Sequence, residues 1–218
     1  NCLVTIGGTT GVRLDLLARR NVIENNEISG MGGNGIFFGG VFYDTRDVNG
    51  ENVVRNTHVY DTGVIHFTGA GILVTQSGSN GIRHNLVHDT GYSGIILSGI
   101  ISLFTPKHWG QRELGRLITD DFFEQTGLDR MERSWDRIEP YLYTANNLVE
   151  SNEVYHSVLR CGDGNPIYLR GAGPGNVIRG NYTHRAYRAH GGIRMDDGQW
   201  GTTVEGNVVY LVPYAGIQ

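Results

Sequence analysis

Ile23-Glu24-Asn25-Asn26-Glu27-Ile28 returns as Ile82-Arg83-His84-Asn85-Leu86-Val87, and again as Val149-Glu150-Ser151-Asn152-Glu153-Val154. Residues 178–183 and 204–209 repeat it with Asn181 and Asn207 in the same place, and residues 54–59 fit with Thr57 where the others have Asn. The shared pattern is apolar, two variable residues, Asn, one variable residue, apolar. A second element follows each of these. It reads Gly35-Ile36-Phe37-Phe38, Gly71-Ile72-Leu73-Val74, Gly94-Ile95-Ile96-Leu97, Pro166-Ile167-Tyr168-Leu169, Gly192-Ile193-Arg194-Met195 and finally Gly216-Ile217. The Asn register runs 26, 57, 85 and then 152, 181, 207, so its steps are 31, 28, 29 and 26, with one long step of 67. A period in the twenties, with short alternating apolar segments and Gly-rich turns, is a solenoid signature. No Leu-x-x-Leu-x-Leu core is present, and the units are too short and too β-like for helical repeats. An Asn at one place per coil suits a turn whose amides hydrogen-bond along the stack. Asn26, Asn85, Asn152, Asn181 and Asn207 are therefore expected in one internal row.

The rest of the composition fits an all-β solenoid of about seven coils, read as a single domain over residues 1–218. Glycine makes up 33 of 218 residues while proline is only 5, which excludes collagen and Pro-rich disorder. Hydrophobic residues at 39% suffice for a core. The net charge of −4 carries no long run of one sign, so neither a nucleic-acid surface nor a membrane-binding patch is indicated. No apolar run approaches the ~18 residues of a membrane span. Lys107 is the only lysine, so nearly every cation is Arg, which favours recognition of carboxylates or hydroxyl-rich ligands. The chain opens and stops abruptly within the repeat, and is expected to be a piece of a longer protein. Nothing in the residues speaks to oligomeric state.

The repeats resemble the right-handed parallel β-helix proteins of the pectin-lyase-like superfamily. Within it, the segment Gly192-Ile193-Arg194-Met195-Asp196-Asp197-Gly198 is similar to one found in later coils of bacterial β-helix glycoside hydrolases. The resemblance implies a secreted, periplasmic or cell-surface protein acting on a polysaccharide or oligosaccharide. It covers nearly the whole chain except the insertion, and implies first a glycoside hydrolase, with two alternatives: a polysaccharide lyase or epimerase on uronate-containing glycans, or a non-catalytic glycan-binding or structural β-helix such as an adhesin or tailspike segment. A hydrolase needs no cofactor, whereas the lyase alternative implies Ca²⁺ held by Asp residues.

Residues 106–140 break the period. Leu114, Leu117, Ile118 and Phe122, then Met131, Trp135 and Ile138, recur at helical spacing, and Pro140 ends the segment. This predicts a short helical insertion, either a flap over one end of the strand face or a surface excursion. Cys2 and Cys161 lie about five coils apart, too far for a disulfide, and are expected to be buried thiols. No zinc spacing and no phosphate-binding loop is present.

Alternation within a strand sets the chemistry. If Ile36, Ile72, Ile95, Ile167 and Ile193 point inward, the outward set is Phe37, Leu73, Ile96, Tyr168 and Arg194, followed by Gly39, Thr75, Ser98, Arg170 and Asp196. Acidic and Arg residues are thus expected together on the outward face only in the coils spanning 163–171 and 190–200. Arg170 and Arg194 suit hydroxyls or uronate carboxylates, and Tyr168 offers a stacking face. Glycoside hydrolysis needs two carboxyls, and Asp196 is the first candidate. Its partner is either Asp197, if the strand ends there, or Asp163, if the entering turn folds back. His190 and Trp200 flank the same coils as candidate substrate-binding residues. His184 shares its register with Tyr60, His88, Tyr155 and Tyr210 and is expected in an external stack, and the sequon at Asn181 should be inaccessible.

Overall fold

The computed structural model describes residues 1–39, 49–99 and 139–218. The expected helical insertion lies outside the described residues as far as residue 138, and Glu139–Tyr141 form one turn of 3-10 helix. Among the described residues the strands are short, three to six residues each, and all pair in parallel. They build three sheets of seven, seven and six strands, and successive strands along the chain pass from one sheet to the next. The first sheet has Leu3–Thr5, Glu27–Met31, His58–Thr62, Leu86–Thr90, Glu153–Tyr155, Tyr182–His184 and Val208–Tyr210. The second, which carries the candidate site, has Val12–Asp15, Ile36–Gly39, Ile72–Thr75, Ile95–Ser98, Ile167–Arg170, Gly191–Asp196 and Ala215–Ile217. The third runs from Val22–Glu24 to Thr203–Glu205. No helix among the described residues is long and apolar enough to cross a membrane.

Strands this short are held by what stacks along the axis. In-register pairing sets Ile72 beside Ile36 and Ile95, and Val59 beside Ile28 and Val87. Each inward row is therefore a column of branched apolar side chains in mutual contact. All three columns merge into one core that includes Phe38, Leu97, Val149, Ile167, Ile178 and Ile193. Burying each such side chain is worth about 1.5–3 kcal/mol. β-Branching suits them to the pleat and costs little rotamer freedom.

The Asn row forms as expected from Asn85 onward. The backbone N–H of Asn85 donates to Asn152 Oδ1 at 3.0 Å, that of Asn152 to Asn181 at 3.0 Å, and that of Asn181 to Asn207 at 2.9 Å. Each amide also donates to a carbonyl of the preceding coil, as Asn152 does to Ile82 at 2.8 Å. Asn26 accepts from the N–H of Cys2, but Thr57 interrupts the row, its hydroxyl turning to the Arg55 carbonyl. The residue before each ladder position is left-handed: Asn25, Asn56, His84 and Ser151, then Gly180 and Gly206. This conformation turns the chain sharply from the third sheet to the first. A second ladder, Asn21, Asn52, Asn80, Asn147 and Asn176, runs parallel at the entrance to the third sheet.

Outside the first sheet, Tyr60 stacks on His88 at 5.2 Å, His88 on Tyr155 at 4.6 Å and Tyr155 on His184 at 4.9 Å. This is the expected stack from Tyr60 to His184, although His184 itself is buried, and Asn181 is 1% exposed. The cysteines correct the expectation. Both are free, but Cys2 is exposed, and Cys161 is only half-buried in a loop.

Candidate functional site

The second sheet presents the expected outward row, and its last complete coils bring the candidates together. Pairing sets Tyr168 beside Arg194 and Arg170 beside Asp196. Tyr168 donates its hydroxyl to Asp196 Oδ2 at 2.8 Å, and Arg194 Nη2 reaches the same oxygen at 2.7 Å. Among the described residues, nothing bonds to Asp196 Oδ1. Arg194 Nη1 contacts Asp163 Oδ1 at 3.2 Å, so the turn entering the strand Ile167–Arg170 does fold back. One guanidinium thus spans carboxylates from two neighbouring coils. The two carboxylates differ in exposure: the Asp196 side chain is 28% exposed and that of Asp163 60%.

Asp197 joins through backbone geometry. The strand ends at Asp196, and Asp197 and Gly198 are both left-handed, at φ 53° and 75°. Glycine adopts this conformation without strain, and the turn is pinned by Gln199, whose side chain accepts from the Ala172 N–H at 2.8 Å. Burial pushes the Asp197 carboxyl above the ordinary carboxylate range, and the neighbouring Asp196 pushes it further, against the pull of Arg170 and Arg194. Its carboxyl makes no hydrogen bond or ion pair among the described residues.

Tyr168 differs from its expected part. It is 2% exposed, with Arg194 over its ring at 5.5 Å and Tyr92 edge-on at 6.4 Å. Its face is closed to a sugar because the coil register seats it between its neighbours. Burial, then the bond to Asp196, drives its hydroxyl far above the usual phenol range, so it acts as a donor and not as a base. Arg170 donates through Nε to Ser98 Oγ at 3.3 Å.

The comparisons agree with this architecture. Residues 1–100 match the family described as right handed beta helix region. No curated protein matches the chain. A solved glycoside hydrolase superposes over 96% of this chain and 33% of its own, with 20% identity and a TM-score of 0.64. Two mannuronan C-5 epimerase A-modules from Azotobacter vinelandii give TM-scores of 0.61 and 0.57 at 12% identity, covering 100% and 99% of this chain and 54% of theirs. The fold is a right-handed parallel β-helix. The chain spans about a third to half the length of these solved β-helices.

Within the β-helix, the two flanking candidates stand on the turns beside the carboxylate cluster, the His190 N–H donating to the carbonyl of Gly164, next to Asp163. His190 is exposed and stacks on Tyr214 at 5.9 Å, and Trp200 is 37% exposed in the turn beyond Gln199. The expectation that only the later coils pair acid with Arg is corrected by the first coil. There Arg13 and Asp15, two apart on the strand Val12–Asp15 and so on one face, form an ion pair at 3.0 Å. Among the described residues no group of three or more His, Cys, Asp or Glu is placed to hold a metal ion. Tyr92 was missed by the sequence reading. It occupies the turn position filled by Gly33, Gly69 and Gly164 in other coils but by His190 and Tyr214 in the last two, and that recurring ring was its signal.

Proposed function

We propose that the protein is a glycoside hydrolase acting on a poly- or oligosaccharide laid on the outward face of the second sheet. The observation that carries this is the division of labour among three carboxyls. Arg194 holds Asp196 and Asp163, while Asp197 is left unpaired and pushed toward its protonated form. Environments that separate neighbouring carboxyls in this way assign acid and base roles. Asp197 protonates the departing glycosidic oxygen. Asp196, with Tyr168 and Arg194 fixing Oδ2, uses Oδ1 either to take the proton of the attacking water or to attack the sugar itself. Asp163 orients Arg194 from the neighbouring coil. The glycan-active enzymes that share this fold, a glycoside hydrolase among them, support the reading.

Arg170, with no carboxylate partner among the described residues, favours a second reading: elimination or epimerisation on a uronate. Product analysis decides. Hydrolysis in ¹⁸O-water labels the new reducing end. A lyase instead leaves an unsaturated sugar that absorbs ultraviolet light, and an epimerase leaves chain length unchanged. Asp196→Asn is nearly isosteric and should lower kcat by about 10²–10⁴-fold while preserving glycan binding. Binding of a glycan without turnover in the unmodified protein, on substrates spanning neutral and acidic polysaccharides, would overturn the enzymatic reading.

A further inference from the structure

Among the described residues, Tyr92 and Arg170 are polar groups beside the carboxylates whose hydrogen-bonding capacity the fold leaves open. Tyr92 is 7% exposed and packs with Ala70, Ile96 and Tyr168, yet its hydroxyl has no hydrogen-bond partner among the described residues. Its place over the strand face is made by Gly164: a Cβ there would stand 2.8 Å from the Tyr92 ring. Glycine is required by this approach, so the ring's position is built into the neighbouring coil. Burial pushes the hydroxyl up to about 12, which keeps it a donor, and Arg170 is the charge acting on it most strongly, followed by Asp163. Arg170 uses only Nε, toward Ser98, and both of its terminal nitrogens are without a partner among the described residues. Meanwhile Asp163 and Asp196 are taken up by Arg194.

A phenol and a guanidinium fork that both border the Tyr168 ring, at 6.4 and 5.9 Å, and hold no acceptor among the described residues call for a ligand rich in lone pairs. We infer that Tyr92 and Arg170 form a subsite for an oxyanion substituent of the glycan, a carboxylate or a sulfate ester, with Tyr92 as its specificity-determining residue. A planar or tetrahedral oxyanion takes two parallel N–H bonds from the fork and a third from the phenol, whereas a single hydroxyl leaves donors unmet. The subsite draws on the coil before the one that bears Arg170, so it recognises a group displaced along the axis from the reacting bond. The inference rests on reading the carboxylate cluster as a glycan site.

Small anions test it without knowledge of the sugar. The Arg170 Nε–H resonance is followed by NMR during titration with sodium acetate and, separately, sodium sulfate, against sodium chloride at equal ionic strength. A saturable shift with acetate points to a carboxylate, and one with sulfate to a sulfate ester; either supports the subsite. Tyr92→Phe keeps the packed ring and should weaken that binding by roughly tenfold or more, as loss of a hydrogen bond to a charged group does. Asp196→Asn should leave the anion shift in place, which separates this result from failure of the hydrolytic reading. A response no larger than that of chloride, or one that Tyr92→Phe leaves unchanged, would overturn the inference.

Discussion

Replacing Asn152 by Ala removes four side-chain hydrogen bonds from the centre of the stack. Asn152 Oδ1 accepts from the backbone and amide nitrogens of Asn85 at 3.0 and 2.9 Å. Its Nδ2 donates to the Ile82 carbonyl at 2.8 Å and to Asn181 Oδ1 at 2.9 Å. Not all of these partners are stranded. Asn181 Oδ1 keeps the N–H of Asn152, and the Asn85 amide still reaches the Val54 carbonyl. The Asn85 backbone N–H and one amide hydrogen are orphaned, and both residues are 2% exposed or less. At about 1–3 kcal/mol for each unsatisfied buried group, the loss comes to roughly 3–5 kcal/mol. For a chain of this length that is a fall in Tm of about 10 °C. Thr57→Ala, by contrast, removes a single side-chain bond, from the Thr57 hydroxyl to the Arg55 carbonyl at 3.0 Å. It should cost about 1 kcal/mol. Thermal and urea unfolding of the two variants side by side give the comparison. Equal losses would refute the reasoning, because they would mean that a full rung of the ladder holds its coils no more firmly than the interrupted one does.

The interrupted rung offers the opposite test: Thr57→Asn places an amide where Asn26 N–H and the Ile23 carbonyl match the partners used by other ladder residues. It should stabilise by about 1 kcal/mol, read as a rise in Tm, and a fall would show that the rung is blocked. Because Asp197 is raised and must donate a proton, activity should decline as pH climbs through its pKa. The kcat/KM profile should lose that basic limb in Asp197→Asn, and an unchanged limb would remove Asp197 from the acid role. His58 is lowered, first by burial and then by His88, whose Nε2 lies 2.7 Å from its own, with Glu27 acting the other way. A lowered histidine binds its proton more weakly folded than unfolded. Stability is therefore whole above the unfolded pKa near ~6.5 and declines as pH falls below it. His58→Gln should flatten that decline in chemical denaturation series, and an unaltered slope would place the effect elsewhere.

The coils and one ladder were legible because a solenoid writes its structure as a period, and Asn85, Asn152, Asn181 and Asn207 stand at that period. The second ladder was equally legible: Asn21, Asn52, Asn80, Asn147 and Asn176 each precede a first-ladder position by five residues. It escaped notice because Gly50, Gly78 and Gly175 nearby gave the segment the look of plain turn. Outward alternation foresaw the neighbourhood of Tyr168, Arg170, Arg194 and Asp196. It could not foresee that Asp163 returns to Arg194, or that Asp197 turns into the cluster. Both depend on backbone torsions in turns, where alternation has no meaning. Nor does alternation report what lies on top of a side chain, and the closed face of Tyr168 is of that kind.

The pairing of Tyr168 with Arg194 and of Arg170 with Asp196 makes the coil the unit in which this protein can be rearranged. Duplicating or excising a whole layer among the early coils leaves every remaining layer with an equivalent neighbour, so genetic recombination there changes the length of the platform and little else. The same event between residues 171 and 190 would move Arg194 and Asp196 one layer of about 4.8 Å away from Tyr168 and Asp163. Distances between reacting groups on such a scaffold come in whole steps of that ruler. A lineage built this way searches chemistry by shuffling layers and then refines it by single substitutions within two of them.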